Sequence, residues 1–380
     1  MPAKIVAVKQ EFALPSDTRV SALRDAAECK NLGLLLDKYQ PWCLCMFENG
    51  QVKWDLCFQY KVENRRRRTV VNKYAQSGEA KGYWINWQSQ NEATDSNKQL
   101  RPNDRFDEDL FKQFKARYDN IYPRNRLFGL QSQTRLVIGS GTKGTLEMGI
   151  TLHHHYGFPY IPGSALKGLT RTYGIYKIAE ILGVPNIPGE AILELKGKKR
   201  KQPTPLQILD MLLEMPLEGT PSDDEYQKQL KAMRSVFEDQ LKNNPLTQSD
   251  GKAISYSLEK FLDLDEVKEF RAIFGTMGRA GEIVFYDSIP DEIKDIIIVE
   301  IMTPHFVDYF KNNELPQEDQ QPKPLTYLAF KEGIVFKFWL DYRNKHKADT
   351  NLFQTAKDWL KLGLRQFGIG GKTSSGMGRF

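Results

Sequence analysis

Apolar residues recur along this chain at two periods, and the switch between them lays out the elements. Phe106, Leu110, Phe114 and Tyr118 return every four residues within 104–119, which predicts an amphipathic helix. A helix is also expected from Ser164 to about Leu182, stopped by Gly183 and Pro185, and another over Leu352–Leu362, with its apolar side at Leu352, Phe353, Ala356, Trp359 and Leu360 and Gly363 as C-cap. A further helical stretch spans roughly Ser16–Tyr39. Strand patterns appear at Gln51–Tyr60, at TRLVI and TLEMGITL within 134–152, at 281–288, at 295–302 and at 333–340. Between 184 and 260 the chain turns polar and Pro-rich. Thr204-Pro205 with Gln207 opens one capped helix there, and Ser222 with Glu225 opens another.

The order strand, helix, strand, strand, helix, glycine-rich ending matches a split β-α-β unit. The expected fold class is therefore α+β: a ferredoxin-like (RRM-like) domain over 131–380, with a mainly helical insertion at 184–270 projecting from it. An additional N-terminal region, 1–130, packs on that core. It carries Trp42, Trp54, Trp84 and Trp87 and the basic run Arg65–Arg68, for which a solvated strip is the ordinary reading.

Composition narrows the class. At 40% apolar and 27% charged residues a packed core is readily built, so disorder is excluded. No apolar run approaches the roughly 20 residues that a membrane span needs. No apolar core follows Lys4, so no signal peptide is expected. Cys29, Cys43, Cys45 and Cys57 form no CxxC pair, which points to reduced thiols in a cytoplasmic protein. The net charge of +6 permits a nucleic-acid partner without demonstrating one.

Two glycine patterns mislead. Gly139, Gly141 and Gly144 satisfy a dinucleotide fingerprint, but the strand-like TLEMGITL follows where a helix is required, so a hairpin turn is the better account. GGKT at 370–373 lacks the upstream glycine of a phosphate-binding loop, because Gln366 stands there. What remains is chemistry for phosphates at two places. In the tail, Gly370, Gly371, Lys372, Thr373, Ser374 and Arg379 combine free backbone N–H groups, hydroxyls and cations, a floppy terminus being the alternative. In YIPGSALKGLTRTYG, the Pro162-Gly163 turn and a Ser164 cap would leave a helix N-terminus open beside Lys167 and Arg171, which share one face. Lys143, in the Gly-rich turn, joins this candidate set.

IPGSALKGLTR at 161–171, GLLLDKY at 33–39, IFG at 273–275, GEIVFYDSIP at 281–290, TPH at 303–305 and GIGGKTSSGMGRF at 368–380 together resemble the RAMP superfamily of CRISPR proteins. Within it, they are similar to the sixth-subunit family of the Cmr (type III-B) effector. The resemblance implies a non-catalytic architectural subunit that holds the 3′ part of a guide RNA and, through it, meets target RNA. It also implies contact with the first, fourth and fifth Cmr subunits at the end of the backbone filament. A fourth ferredoxin strand would then be only a few residues, around Met377–Phe380, or be supplied elsewhere.

Some RAMP relatives cleave RNA with a histidine, so His153, His154 and His155 raise an endoribonuclease as one alternative. In a strand, His153 and His155 would face one way and His154 the other, so the three could not ligate one metal. Glu147 and Asp287 lack the close carboxylate partners of a two-metal site. A structural turn is the preferred account of the histidines and of His305, and no enzyme, metal or cofactor is expected. A scaffold that touches only other proteins is the second alternative.

Overall fold

The computed structural model describes residues 5–10, 29–32, 36, 42–47, 52–64, 69–76, 102–121, 124–141, 148–184, 192–195, 198–201, 204–215, 258–303, 325–344 and 350–380. The Ser222 helix, Arg65–Arg68, Lys143 and His305 lie outside the described residues. Near the N-terminus, β1 (Ile5–Gln10), β2 (Trp42–Phe47), β3 (Val52–Asn64) and β4 (Thr69–Gln76) make an antiparallel sheet in sequence order. The strand expected at 51–60 thus runs to Asn64, and its partner β4 carries no pattern that the sequence reading picked out.

Helix α1 (Glu108–Ile121) realises the four-residue repeat, and its Phe111, one position off that repeat, is buried in the main core beside Leu32 and Phe106. Next comes β5 (Leu127–Gln131), then α2 (Gly163–Leu182), whose C-cap Gly183 takes a left-handed φ of 67° and donates to the carbonyls of Ala179 and Glu180. The insertion holds β6 (Ile192–Leu195), β7 (Lys198–Lys201), α3 (Pro205–Glu214), α4 (Leu258–Asp263) and α5 (Asp265–Phe274). At α3 the Thr204 hydroxyl accepts from the Gln207 N–H while the Gln207 side chain accepts from the Thr204 N–H, the capping box read from the sequence. These helices do not simply project. Leu209, Leu213, Val267 and Phe270 are fully buried in the same core as Leu166 of α2, because their apolar faces need the α2 surface to cover them.

The remaining elements are β8 (Gly275–Thr276), β9 (Arg279–Ala280), β10 (Ile283–Phe285), β11 (Ile289–Pro290), β12 (Ile297–Met302), β13 (Leu325–Phe330), β14 (Val335–Tyr342) and α6 (Thr350–Gln366). Every named ladder is antiparallel. Strand β14 is central: one edge pairs with β10 and β11, the other with β5 from Trp339↔Leu127 to Val335↔Gln131. The pairing continues past β5 in the same register, through Ser132 N–H to the Ile334 carbonyl (2.8 Å) and the Leu136↔Phe330 bridge. A boundary between 130 and 131 therefore cuts through one continuous strand path.

The chain end takes the outer edge of that path. Gly378 N–H donates to the Arg135 carbonyl (2.8 Å) and Gln133 N–H to the Arg379 carbonyl (2.9 Å). Across the sheet the order is thus chain end, 127–138, β14, then β10 and β11. Helices α2 and α6 pack on each other, with Gly363 of α6 against Leu169 and Tyr173 of α2. Gly363 is not the C-cap expected of it; it is a buried helical residue at this crossing, and α6 runs on to Gln366.

Candidate nucleic-acid interface

The start of α2 differs from its sequence expectation. Its N-cap is Pro162, which offers no side-chain acceptor, and Ser164 is an exposed first-turn residue. The capping anion comes from elsewhere: Gly163 N–H donates to the Asp287 carboxylate at 2.7 Å. A Cβ on Gly163 would stand 2.2 Å from the Phe285 carbonyl, so the helix start is pressed against the end of β10 and only glycine fits. The positive end of the helix already holds a negative charge.

Arg171 is similarly answered from within the chain. Its guanidinium pairs with Asp210 (2.5 Å) and Glu214 (2.6 Å) of α3 and lies over the Phe270 ring at 5.6 Å. Gly163 and Arg171 therefore serve the packing of α2, because the acids and backbone that meet them arrive from distant segments. Lys167 is different. It is half-buried, and burial, then the charges of Arg343 and Arg171, hold its amine below the usual lysine range. No described carboxylate pairs with it.

The three histidines lie in a turn rather than a strand. Leu152 bridges to Pro159, His153 N–H donates to the Phe158 carbonyl, and Gly157 N–H donates back to the His153 carbonyl, both at 2.7 Å. Asn31 anchors the turn through the His155 carbonyl (2.9 Å). The alternating side-chain directions of a strand therefore do not apply. His153 packs between rings of Phe114, Tyr156 and Phe158 at 4.9–5.4 Å, while His154 and His155 are exposed. Burial, then the neighbouring His155, pushes the His153 imidazole below the usual histidine range. Among the described residues, no group of His, Cys, Asp and Glu could hold a metal.

The tail is ordered by the same 127–138 strand path, not by its own composition. Gly370 takes a φ of 93°, and a Cβ there would stand 2.3 Å from the Val137 carbonyl. Gly371 N–H donates to that carbonyl (2.7 Å), which seats the tail beside Ser140 and the turn after Ile138. Two glycine-rich segments, more than 200 residues apart in sequence, thus adjoin. Lys372 lies 4.6 Å from the Tyr327 ring centroid and 3.0 Å from the Met302 sulfur. The Arg379 guanidinium donates to the carbonyls of Arg365 and Gln366 and so caps the C-terminus of α6. Thr373 is half-buried, and Ser374, Ser375 and Gly376 form an exposed turn.

The structure brings the tail to the 139–141 turn, and brings the later turns of α2, through Tyr173 and Tyr176, to Phe367 at the tail's root. It surrounds Arg171 with other neighbours altogether, those of α3 and α5. Asp287 is the residue the sequence reading undervalued: nothing local marks a carboxylate more than 120 positions away as the cap of α2.

A mixed α+β core closed by a glycine-rich ending that hydrogen-bonds to residues 133–137 defines the class, and the profile of the RAMP superfamily matches residues 130–380. The chain belongs to the RAMP superfamily. It is 28% identical over 292 residues to the CRISPR system Cmr subunit Cmr6 of Pyrococcus furiosus, covering 71% of this chain and 72% of that protein. The solved crystal structure of Cmr6 from Pyrococcus furiosus is similar at 26% identity and a TM-score of 0.32, over 68% of this chain and 98% of that one. A chain of a type III-B Cmr-β assembly bound to cognate target RNA is similar at 17% identity and a TM-score of 0.40; the match covers 72% of this chain and 65% of that chain's length. The superpositions are loose, and the sequence match carries the assignment. Among the described residues no helix is long and apolar enough to cross a membrane.

Proposed function

We propose that this chain is a non-catalytic RNA-binding subunit of a type III-B CRISPR (Cmr) RNA-targeting effector complex in the cytoplasm. It holds the 3′ part of the guide RNA, meets target RNA through the guide, and contacts the first, fourth and fifth Cmr subunits. The lateral order of 127–138, β14 and then β10 with β11, and the packing of α2 on α6, support a ferredoxin-like RAMP reading in which the chain end, paired with residues 133–135, would stand in for a very short fourth strand. The observation that carries the function is the tail. Gly368, Gly370 and Gly378 pack against backbone, its hydroxyl-bearing turn is exposed, and Lys372 carries a charge that no described carboxylate answers. A site of this kind reads phosphates and is indifferent to bases, as the carrier of a variable guide must be.

Of the candidate residues, Lys167, Lys372, Thr373 and Ser374 are the side chains proposed to reach phosphate, with Gly370 and Gly371 supplying close backbone. Gly163, Arg171 and Arg379 shape the surface instead. His153, packed among the rings of Phe114, Tyr156 and Phe158 with no acid or base among the described residues held against it, favours a structural turn over an endoribonuclease, which would need a protonatable group held against a second acid or base.

The test is a salt titration of guide-RNA affinity for the full chain, wild type against Lys167→Gln/Lys372→Gln. The log–log slope should flatten by about 0.7 per lost phosphate contact, equally for guides of different sequence. Sequence-dependent losses, or cleavage of a repeat-containing RNA by the isolated chain, would overturn the reading.

A further inference from the structure

Acidic residues number 48 in 380, yet none occurs from Asn120 through Leu146 or from Trp359 through Phe380. The fold lays these two acid-free segments side by side. Residues 133–137 hydrogen-bond to the chain end and to Gly371, and Phe128 of β5 lies beneath Lys357 and Lys361 of α6, whose amines are 5.3 and 5.4 Å from its ring centroid. On α6, Lys357, Lys361 and Arg365 recur every four residues on one face, each about 6 Å further along the axis. The row ends where the Arg379 guanidinium grips the Arg365 carbonyl, and so it runs directly into the tail. Arg135, on the same strand path, is neutralised by Glu300 and Glu332, and Arg126, just before it, by Asp341. By contrast, Lys357, Lys361, Arg365, Lys372 and Arg379 have no carboxylate partner among the described residues.

We infer that the outer face of α6 is a second stretch of the nucleic-acid track, in which Lys357, Lys361 and Arg365 take successive phosphates of a single strand that continues from the 373–376 turn. The inference rests on the RNA-binding reading above and adds to it a contact surface on the opposite element from the start of α2. A row of cations without carboxylate partners, two of them over an aromatic ring, matches the electrostatic half of a single-strand groove. Protein interfaces instead centre on apolar anchors, and the only large apolar side chain among the exposed residues of this helix is Leu362. A polynucleotide backbone is thus favoured over an acidic protein surface.

The experiment uses the full chain and poly-U as probe, with salt titrations of wild type, Arg365→Gln, and Lys357→Gln/Lys361→Gln/Arg365→Gln. The expected log–log slopes flatten by about 0.7 for the single variant and about 2 for the triple, and Lys357→Arg/Lys361→Arg keeps the wild-type slope. Salt-dependent binding by wild type with an unchanged slope in the triple variant would overturn this inference and leave the RNA-binding reading standing. A wild type whose RNA binding ignores salt would overturn both. Loss of poly-glutamate binding by the triple variant, with poly-U binding intact, would assign the row to a protein partner and overturn the inference. Because Arg365 is exposed, its single variant keeps the test valid even if the lysines over Phe128 prove important for folding.

Discussion

The start of α2 and the glycine-rich tail look alike in sequence: each joins glycines and a hydroxyl residue to cations. Their tertiary settings are opposite. At the helix start, Asp287 fills the positive end of the dipole and Asp210 and Glu214 neutralise Arg171. At the tail, Lys372 and Arg379 meet a thioether, a ring and backbone carbonyls, none of which cancels a positive charge. Capacity to bind an external anion depends less on which cations a segment carries than on whether the fold has already supplied a carboxylate.

The comparison breaks most sharply at glycines. Gly163→Ala forces a Cβ to 2.2 Å from the Phe285 carbonyl and should cost about 2–3 kcal/mol of stability, read as a lowered denaturation midpoint. Gly376→Ala meets nothing within 4 Å and pays only for its φ of 85°, about 1 kcal/mol. Equal losses would show that the helix start has room the structure denies it. Next in size, Asp287→Ala removes the carboxylate that caps α2 and should cost about 1–2 kcal/mol in urea denaturation. An unchanged midpoint would mean that the Gly163 N–H finds another acceptor.

A smaller effect separates the two regions by function. Arg171→Gln should lower stability by about 1 kcal/mol, since its pairs are partly exposed, and leave the salt slope of RNA binding alone. Lys372→Gln should do the reverse, flattening the slope by about 0.7 with little change in stability. An Arg171 variant that flattens the slope would move RNA to the helix start.

The smallest effect is on acid stability. His153 has a folded pKa below its unfolded value near 6.5, so the unfolded chain takes up the proton first. Its contribution is intact above pH 6.5 and declines as the pH falls from there toward the lower folded pKa. His153→Phe should flatten that part of the stability–pH curve, and a curve as steep as wild type would place the titrating group elsewhere.

Much of the architecture was legible in the residues. The capping box at Thr204, the left-handed stop at Gly183 and the four-residue repeat of α1 depend on contacts within a few positions, and local patterns record such contacts; the strands at 283–285, 297–302 and 335–342 showed through their apolar patterning although their partners lie far away in sequence. The errors share one cause. Ser164 as a cap and Gly363 as a helix stop were each local rules overruled by partners far away in sequence: Asp287 and Leu169.

The sequence by itself determined where charge and glycine are concentrated, including the absence of acids from 120–146 and 359–380, because composition is a property of the chain alone. Only the tertiary structure decided which of those charges stay uncompensated. Neutralisation requires a carboxylate within about 4 Å, and whether one arrives depends on how strands and helices distant in sequence are packed together.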